Sequence, residues 1–247
     1  RAEHVAAWID GFATGSRFGR GEITAVDGAS VSDLPAGQRA RPYDTPDAGS
    51  RHVPAALAGA LLRPRLVATA NTARWHRARR RGRPHLRDIG PALHPLDRVA
   101  DWPAWYGRQG FLQYQFVVPD SAQELVADVL QRLARAGHPP YLAVLKRFRR
   151  HGCGLLSFPM PGWSLALDLP DGDPGLHRLL DRLDGDVAAA GGRVYLAKDS
   201  RLRPDVVETM YPRLPQWRLT RDAMDPGRAL RSDLSSRLGL IEGTSTS

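Results

Sequence analysis

Apolar and polar positions between Gly110 and Arg201 follow a regular order of strand and helix patterns. Four short apolar runs are typical of strands, and two longer stretches repeat their apolar positions every three to four residues, as amphipathic helices do. The elements are ordered strand, helix, strand, strand, helix, strand. This order is the split β-α-β pattern of a ferredoxin-like sheet. The sequence therefore predicts an α+β fold in which an antiparallel sheet carries both helices on one face.

Both predicted helices begin at recognisable end signals. Ser121 and Glu124 form a potential capping box ahead of the first helix. Asp173 is the predicted N-cap of the second helix, and Pro174 then occupies its first helical position, where no backbone N–H is needed. We expect both helices to cover one face of the sheet.

One face of the predicted sheet is polar. Because side chains alternate along a strand, Gln113 and Gln115 share a face of the first strand, and Ser164, Ala166 and Asp168 share a face of the third. An antiparallel sheet can show such a face to water, so a solvated surface is the simplest interpretation. Two glutamines beside small residues are also typical of a lined ligand pocket.

The earlier part of the chain has weaker patterns. Residues 4–9 and 20–26 predict two strands around a glycine-rich turn, and residues 53–73 predict broken helix that Pro64 interrupts. Residues 74–87 are rich in arginine and have no apolar period, which predicts an exposed loop. Such a loop could also bind a phosphate group or an anionic membrane surface.

Composition and charge narrow the expected partners. The formal net charge is +9, which favours acidic partners such as phosphorylated ligands. Nucleic acid is not expected, because Trp75 is the one aromatic residue in the basic segment on which a base could stack. Cys153 is the single cysteine and the histidines are scattered, so we expect no metal site.

The chain shows neither a signal-peptide pattern nor an apolar run of about 20 residues, the length needed to span a bilayer. We therefore expect a cytoplasmic protein or one bound peripherally to a membrane. The sequence begins with Arg1 rather than methionine and enters a predicted strand within a few residues. This start predicts that the chain is the C-terminal part of something longer.

A set of short motifs between Trp8 and Leu240 resembles a known family. The motifs are WID, HPLD, YGRQGFLQYQFVVP, LKRF, LSFPMPGW, GGRVYLAKDSR, MYPRLPQW and SDLSSRLGL. Their order and spacing resemble the C-terminal substrate domain of the decaprenylphosphoryl-ribose oxidases, which are flavoproteins of the vanillyl-alcohol oxidase superfamily. The resemblance implies that FAD is the cofactor and that the FAD-binding domain is absent from this chain.

The resemblance also implies a domain organisation. Residues 1–52 would be the end of the FAD-binding domain or a linker from it, with the first strands of the substrate domain. Residues 53–92 would be an irregular helical region with the arginine-rich loop. Residues 93–247 would be the substrate or cap domain, with helices at its C-terminal end.

Individual residues acquire roles from the same resemblance. Lys198, in the AKDSR motif, would contact the pyrimidine edge of the flavin, where a fixed ammonium stabilises negative charge on the reduced ring. Gln113, Gln115, Lys146 and Trp8 would line the substrate pocket, with the amides orienting a sugar and a lysine pairing with its phosphate. No catalytic residue is assigned by this comparison.

The implied activity is FAD-dependent oxidation of a sugar secondary hydroxyl to a ketone. The expected substrate is the 2′-hydroxyl of a polyprenylphosphoryl-ribose, a precursor of cell-wall arabinan, and a partner reductase would act on the keto product. We expect the fragment alone to be inactive. Leu93 and Ala166 stand where the family has a pocket tyrosine and a strand cysteine, which leaves the exact sugar open.

Two other functions remain open at this point. An aldonolactone oxidase of the same superfamily would use molecular oxygen as the electron acceptor. A non-catalytic basic module would instead bind anionic membranes or nucleic acid through residues 74–87, with steep salt dependence.

Overall fold

The computed structural model describes residues 2–44, 49, 51–52, 59, 62–79, 84–93 and 99–241. The chain divides into two compact units, Arg1–Phe111 and Leu112–Ser247. Among the described residues, no helix is both long enough and apolar enough to cross a membrane.

The first unit is built around a β-hairpin and one long helix. Its strands are β1 (His4–Ile9), β2 (Gly21–Val26), β3 (Arg51–His52) and β4 (Val99–Ala100). Its α-helices are α1 (Pro64–Ala78) and α2 (Ile89–Leu93), and its 3-10 turns are Gly15–Arg17, Val31–Asp33, Ala36–Gln38 and Trp102–Gln109. β1 and β2 pair antiparallel, which confirms the two predicted strands, and β3 pairs parallel with β4.

A buried carboxylate ties the hairpin to α1. Asp10 follows β1 and is almost completely buried. It forms an ion pair with Arg20 at 2.6 Å and accepts a hydrogen bond from the side-chain amide of Asn71 at 2.9 Å. Arg20 also donates to the Thr72 hydroxyl at 2.6 Å, so two residues of α1 are held by this network.

Pro64 begins α1, because the first helical position needs no N–H and proline's fixed φ suits it. Most of the predicted helix before Pro64 lies outside the described residues, so its interruption at Pro64 stays a prediction. One prediction for this region is wrong. The segment 74–87 is not entirely loop, since residues 74–78 form the last turns of α1. Most of residues 53–63 and residues 80–83 lie outside the described part of the chain.

The second unit contains the predicted alternation of strands and helices. Its strands are β5 (Phe111–Val118, starting at the last residue of the first unit), β6 (Leu142–Phe148), β7 (Gly162–Pro170) and β8 (Arg193–Val194). Its α-helices are α3 (Glu124–Arg135), α4 (Pro174–Ala189), α5 (Pro204–Met210), α6 (Leu214–Met224) and α7 (Asp233–Arg237), and its 3-10 turns are Asp120–Ala122 and Leu196–Lys198. The predicted element order from β5 to β8, and the α+β class, are confirmed.

The strands of this unit lie side by side in the order β6-β7-β5-β8. The pairs β6–β7 and β5–β8 are antiparallel. β7 and β5 are therefore the inner strands, and the polar positions predicted on them become neighbours. The sequence order alone does not reveal this adjacency, because β6 and α3 separate the two strands along the chain.

Of the two predicted helix starts, the structure confirms that of α4 and not that of α3. The Asp173 carboxylate accepts a hydrogen bond from the Gly175 N–H at 2.7 Å, which confirms the predicted N-cap of α4. The predicted capping box of Ser121 and Glu124 is wrong. α3 begins at Glu124, directly after a 3-10 turn, and no side chain caps it.

The apolar face of this sheet is the core of the unit. Its fully buried side chains include Phe116 on β5, Leu165 on β7 and Leu180 on α4, each 0% exposed. Complete burial of one such side chain contributes about 1.5–3 kcal/mol. Arg132 of α3 donates to Asp186 of α4 at 2.6 Å, so the two helices are joined side by side.

Gly162 fixes where β7 begins. Its φ is 143°, a conformation that side chains disfavour, and a Cβ at this position would overlap the Val118 carbonyl oxygen of β5. In the β6–β7 ladder Gly162 lies opposite Phe148. The glycine therefore sets the register from which Ser164 and Asp168 follow.

Candidate functional site

The polar face of the second unit brings four predicted polar positions together. The side-chain amide of Gln113 donates to the Asp168 carboxylate at 2.8 Å. The amide of Gln115 donates to the Ser164 hydroxyl at 3.1 Å. These two hydrogen bonds cross from β5 to β7, so the predicted shared face is confirmed and its polar groups form a connected layer.

Each glutamine keeps its carbonyl oxygen available. Within the described residues, no donor is bonded to Oε1 of Gln113 or of Gln115, and neither oxygen is among the fully buried atoms that lack a partner. An amide oxygen in this state can accept a hydrogen bond from a ligand hydroxyl. The layer therefore offers two acceptors.

Lys146 and Lys198 belong to the same environment. The register of β6 and β7 places Lys146 opposite Ser164, which puts both residues on one face. The pKa of Lys198 is lowered, mainly by burial and further by the charge of Lys146, while the charge of Asp168 opposes this shift. Across the described residues neither lysine forms an ion pair within 4 Å.

These two residues are the only lysines in a 247-residue sequence that otherwise uses arginine for its cations. A lysine is a compact, strongly hydrated charge on a flexible stem, whereas arginine is a planar fork. The polar face is thus chemically distinct from the arginine-rich remainder of the chain.

Asp168 is the buried acid of this face, with 4% of its surface exposed. Burial raises its pKa, whereas the hydrogen bond from Gln113 and the charge of Lys198 act in the opposite direction. Asp168 therefore bonds to Gln113, and its charge favours the protonated form of Lys198.

An apolar cluster occupies the neighbouring end of the sheet. Val117, Phe158 and Met160 are buried together, and Phe148 and Tyr195 pack against them. The rings of Phe158 and Tyr195 stack with centroids 4.7 Å apart. Two of these residues come from the loop SFPMPGW, so that loop packs at the end of β5 rather than extending into solvent.

The turn that carries Lys198 is anchored by its own motif. Asp199 accepts hydrogen bonds from the backbone N–H groups of Arg201 and Leu202 at 3.1 and 2.9 Å. It also forms an ion pair with Arg237 of α7 at 2.8 Å. The backbone on the C-terminal side of Lys198 is therefore held in one conformation.

Arg201 anchors the same turn to α4. Its guanidinium forms ion pairs with Asp184 at 2.7 Å and with Asp181 at 2.5 Å. Asp184 is 2% exposed, and burial raises its pKa to about 6 although Arg201 opposes this shift. Burial raises the pKa of the Tyr114 hydroxyl, and the charge of Asp184 raises it further. Because Tyr114 and Gln113 point to opposite faces of β5, α4 lies on the face away from Gln113.

Trp8, the fifth predicted pocket or cofactor residue, lies in the first unit. It is a buried residue of β1, and the guanidinium of Arg74 lies 4.2 Å from its ring centroid. Arg74 also pairs with Glu22 at 3.0 Å. Trp8 thus has a packing role within its unit, and its predicted pocket role stays a prediction.

Comparison with known proteins adds family information. No protein-family model matches the chain. The decaprenylphosphoryl-beta-D-ribose oxidase of Mycolicibacterium smegmatis is 34% identical over 240 residues, which cover 96% of this chain and 51% of that protein. A Streptomyces coelicolor protein described as an uncharacterized protein in the mprA 5′ region is 36% identical over 247 residues, which cover 97% of this chain and 66% of that protein.

The chain is similar over almost its whole length to a decaprenylphosphoryl-beta-D-ribose oxidase. The resemblance carried by the short motifs is thereby confirmed. The chain spans about half the length of the oxidase, with 51% of that protein covered.

The sequence did not predict the hydrogen bonds that connect the polar face. Asp168 and Ser164 were recognised as polar positions, but their hydrogen bonds to the glutamines depend on β5 and β7 being adjacent. The anchoring of the AKDSR motif by Asp184 and Arg237 was also missed. A signal existed, since acidic positions on a helix facing an apolar sheet require a partner. The motif HPLD lies outside the described residues.

Proposed function

We propose that this chain is the substrate-binding part of an FAD-dependent oxidoreductase that oxidises a secondary hydroxyl of a sugar to a ketone. The observation that supports it most is the polar face itself. Two glutamine carbonyl oxygens, a buried carboxylate and Lys146 lie on one sheet face, and Lys198, on the turn after β8, is electrostatically coupled to that carboxylate. The 34% identity to a decaprenylphosphoryl-beta-D-ribose oxidase gives this face its chemical context.

The donor and acceptor set favours a phosphorylated polyol as substrate. The carbonyl oxygens of Gln113 and Gln115 accept hydrogen bonds from hydroxyl groups. Lys146 is exposed and opposite Ser164, a position that suits a phosphate at the mouth of the site. We propose the 2′-hydroxyl of a polyprenylphosphoryl-ribose as the group that is oxidised; the Mycolicibacterium relative is an oxidase of a decaprenylphosphoryl-ribose.

The residues present fit a flavin. Lys198 is a half-buried ammonium without an ion pair among the described residues, and its charge is supported by Asp168. Such a group suits the electron-rich pyrimidine edge of the ring. A bound flavin supplies the acceptor for the hydride that leaves the carbinol carbon. The chain's own residues then hold the sugar, exclude water and keep a positive charge at the ring edge.

The fold is consistent with a cap over such a cofactor. We propose that the second unit is a ferredoxin-like cap domain of the vanillyl-alcohol oxidase type, with its polar face toward the flavin. In this proposal residues 1–52 are the end of the FAD-binding domain or a linker from it with the first strands of the substrate domain, residues 53–92 form a helical region that includes α1, and residues 93–247 form the cap domain that contains the second unit. The strand order β6-β7-β5-β8 and the β-α-β-β-α-β sequence support the cap topology.

We further propose that the protein is cytoplasmic or peripheral to a membrane, and that a reductase uses its keto product. Residues 74–87 would contact the anionic surface. Two of the arginines, Arg74 and Arg79, are engaged by the rings of Trp8 and Trp75, at 4.2 and 4.9 Å from the ring centroids, and this leaves fewer charges for the membrane. We therefore expect weak association that salt abolishes, which cosedimentation with anionic and neutral vesicles measures.

The proposed activity is tested by visible spectroscopy on the protein that carries this chain and its flavin-binding part. We expect flavin absorbance that bleaches when a polyprenylphosphoryl-ribose analogue is added without oxygen. Bound flavin that does not bleach would contradict the substrate, and a protein without flavin would contradict the whole proposal. Reoxidation by an artificial acceptor but not by oxygen would separate this enzyme from an aldonolactone oxidase.

A further inference from the structure

The orientation of the Gln113 side chain is determined by Asp168. An ionised carboxylate can only accept hydrogen bonds, so the 2.8 Å contact requires the amide nitrogen of Gln113 to face Asp168. The carbonyl oxygen is then turned to the other side of the amide group. Gln115 is not constrained in this way, because the Ser164 hydroxyl can either donate or accept.

The same carboxylate acts on Lys198. Lys198 is influenced by both other charged groups of this face, Asp168 and Lys146. Asp168 is the acid among them and the group that favours the charged form of Lys198, against burial and against Lys146. One buried side chain thus touches an amide and stabilises a cation.

We propose that Asp168 is the positioning residue of this site: it holds Gln113 with the carbonyl oxygen available to the ligand and supplies the counter-charge of Lys198. The site therefore selects a ligand by a hydroxyl hydrogen that the ligand donates, next to an anionic group. This inference rests on the proposed function and names the feature of the sugar that is recognised. Asp168 acts through Gln113 and Lys198 and not on the reacting atoms.

A purely structural role for Asp168 would require a different set of hydrogen-bond partners. A buried carboxylate that only supported the fold would be satisfied by neighbours without other tasks, as Asp10 is by Arg20 and Asn71. Asp168 instead bonds a side chain whose other end is open, and forms no ion pair within 4 Å among the described residues. Its removal should change the chemistry of the face as well as stability.

The first measurement uses the amine chemistry of the chain. Lys146 and Lys198 are the only lysines of this chain, and peptide mass spectrometry of the whole protein, with its flavin removed, follows the labelling rate of each across pH. We expect Asp168→Asn to increase labelling of Lys198 near pH 9 by about tenfold, since an opposing charge is lost. Lys146 in the same sample is the internal reference.

Asp171→Asn is the matched control for this measurement. Asp171 lies three residues further along, forms an ion pair with His177 at 2.7 Å, and does not contribute to the pKa of Lys198. We expect this variant to label as the wild-type protein does. Unchanged labelling of Lys198 in Asp168→Asn would overturn the inference.

The second measurement addresses the selection of hydroxyl donors. Ribose 5-phosphate and 2-deoxyribose 5-phosphate serve as probes in a calorimetric titration of the whole protein. We expect the wild type to bind the ribose compound up to about tenfold more tightly, the value of one hydrogen bond. Asp168→Asn should bind both compounds equally, because its neutral amide no longer fixes Gln113.

Gln113→Leu keeps the inference testable if Asp168→Asn does not fold. This variant removes the open carbonyl oxygen but retains Asp168, so we expect the preference for ribose to disappear while labelling of Lys198 does not increase. A preference retained in both variants would overturn the inference. A wild type that binds neither sugar would instead overturn the proposed function, and the labelling result does not depend on it.

Discussion

Replacing Lys198 by alanine should slow substrate-dependent flavin bleaching by about 10²–10³-fold, the usual effect of losing one preorganised group that stabilises developing charge. Lys198 is half-buried and held by an anchored turn, so its ammonium needs little reorganisation when charge develops. The rate of bleaching in stopped-flow single turnovers at saturating substrate measures this effect.

Lys146→Ala separates this role from substrate binding. Lys146 is exposed, and in the proposed site it pairs with a phosphate. We expect its loss to raise KM with a small change in kcat. A Lys198→Ala variant that bleaches at the wild-type rate, with flavin still bound, would remove Lys198 from the cofactor site.

Replacing Arg201 by methionine should lower the free energy of unfolding by about 3–5 kcal/mol at pH 7.5, because it leaves Asp184 buried without its cation. The two side chains are 10% and 3% exposed, and their ion pair measures 2.7 Å. Denaturant unfolding, followed by tryptophan fluorescence, measures the loss.

The pH dependence of this loss has a definite sign. In the folded wild type, burial raises the pKa of Asp184 from 3.8 to about 6. This group therefore stabilises the fold more as the pH falls from 6 toward 4, where the folded state holds a proton that the unfolded state has released. Arg201 opposes that rise, so without it the carboxyl takes up its proton at still higher pH, and the cost of Arg201→Met should shrink at pH 5.

Arg203→Met is the matched control for Arg201→Met. Arg203 pairs with Asp205 at 2.6 Å, but the two side chains are 67% and 61% exposed. Solvent screens an ion pair this exposed and it contributes little to stability, so this variant should unfold almost as the wild type does. Equal losses for the two variants, or a loss at Arg201 that does not change between pH 7.5 and 5, would contradict the buried-pair interpretation.

Local signals in the sequence were sufficient to predict the polar face but not its connections. Alternation placed Gln113 and Gln115 on one side of β5, and Asp173 marked the start of α4, because both patterns depend on neighbours in the chain. The bond between Gln113 and Asp168 depends on strand order, which joins residues that are far apart in sequence. The arginine-rich segment misled for a related reason.

In that segment, helical structure does not come from an apolar period. The last turns of α1 are held by contacts to the hairpin, among them the pairing of Arg74 with Glu22 and with the ring of Trp8. Tertiary contacts of this kind override weak helix signals. The Ser121 capping box failed likewise, since the backbone there turns as a 3-10 helix before α3 starts.

The close contact between Gly162 and the backbone of β5 allows the loop before β7 to vary without moving the polar residues of β7. Because β7 is aligned at its first residue, the length of the preceding loop does not determine where Ser164 and Asp168 lie. Insertions, deletions or exchanges between residues 149 and 156, ahead of the buried Phe158 and Met160, would alter the loop while the polar face keeps its arrangement. Natural or designed changes in this loop can thereby alter which ligands reach the site while the hydrogen-bonded side chains of β5 and β7 stay in place.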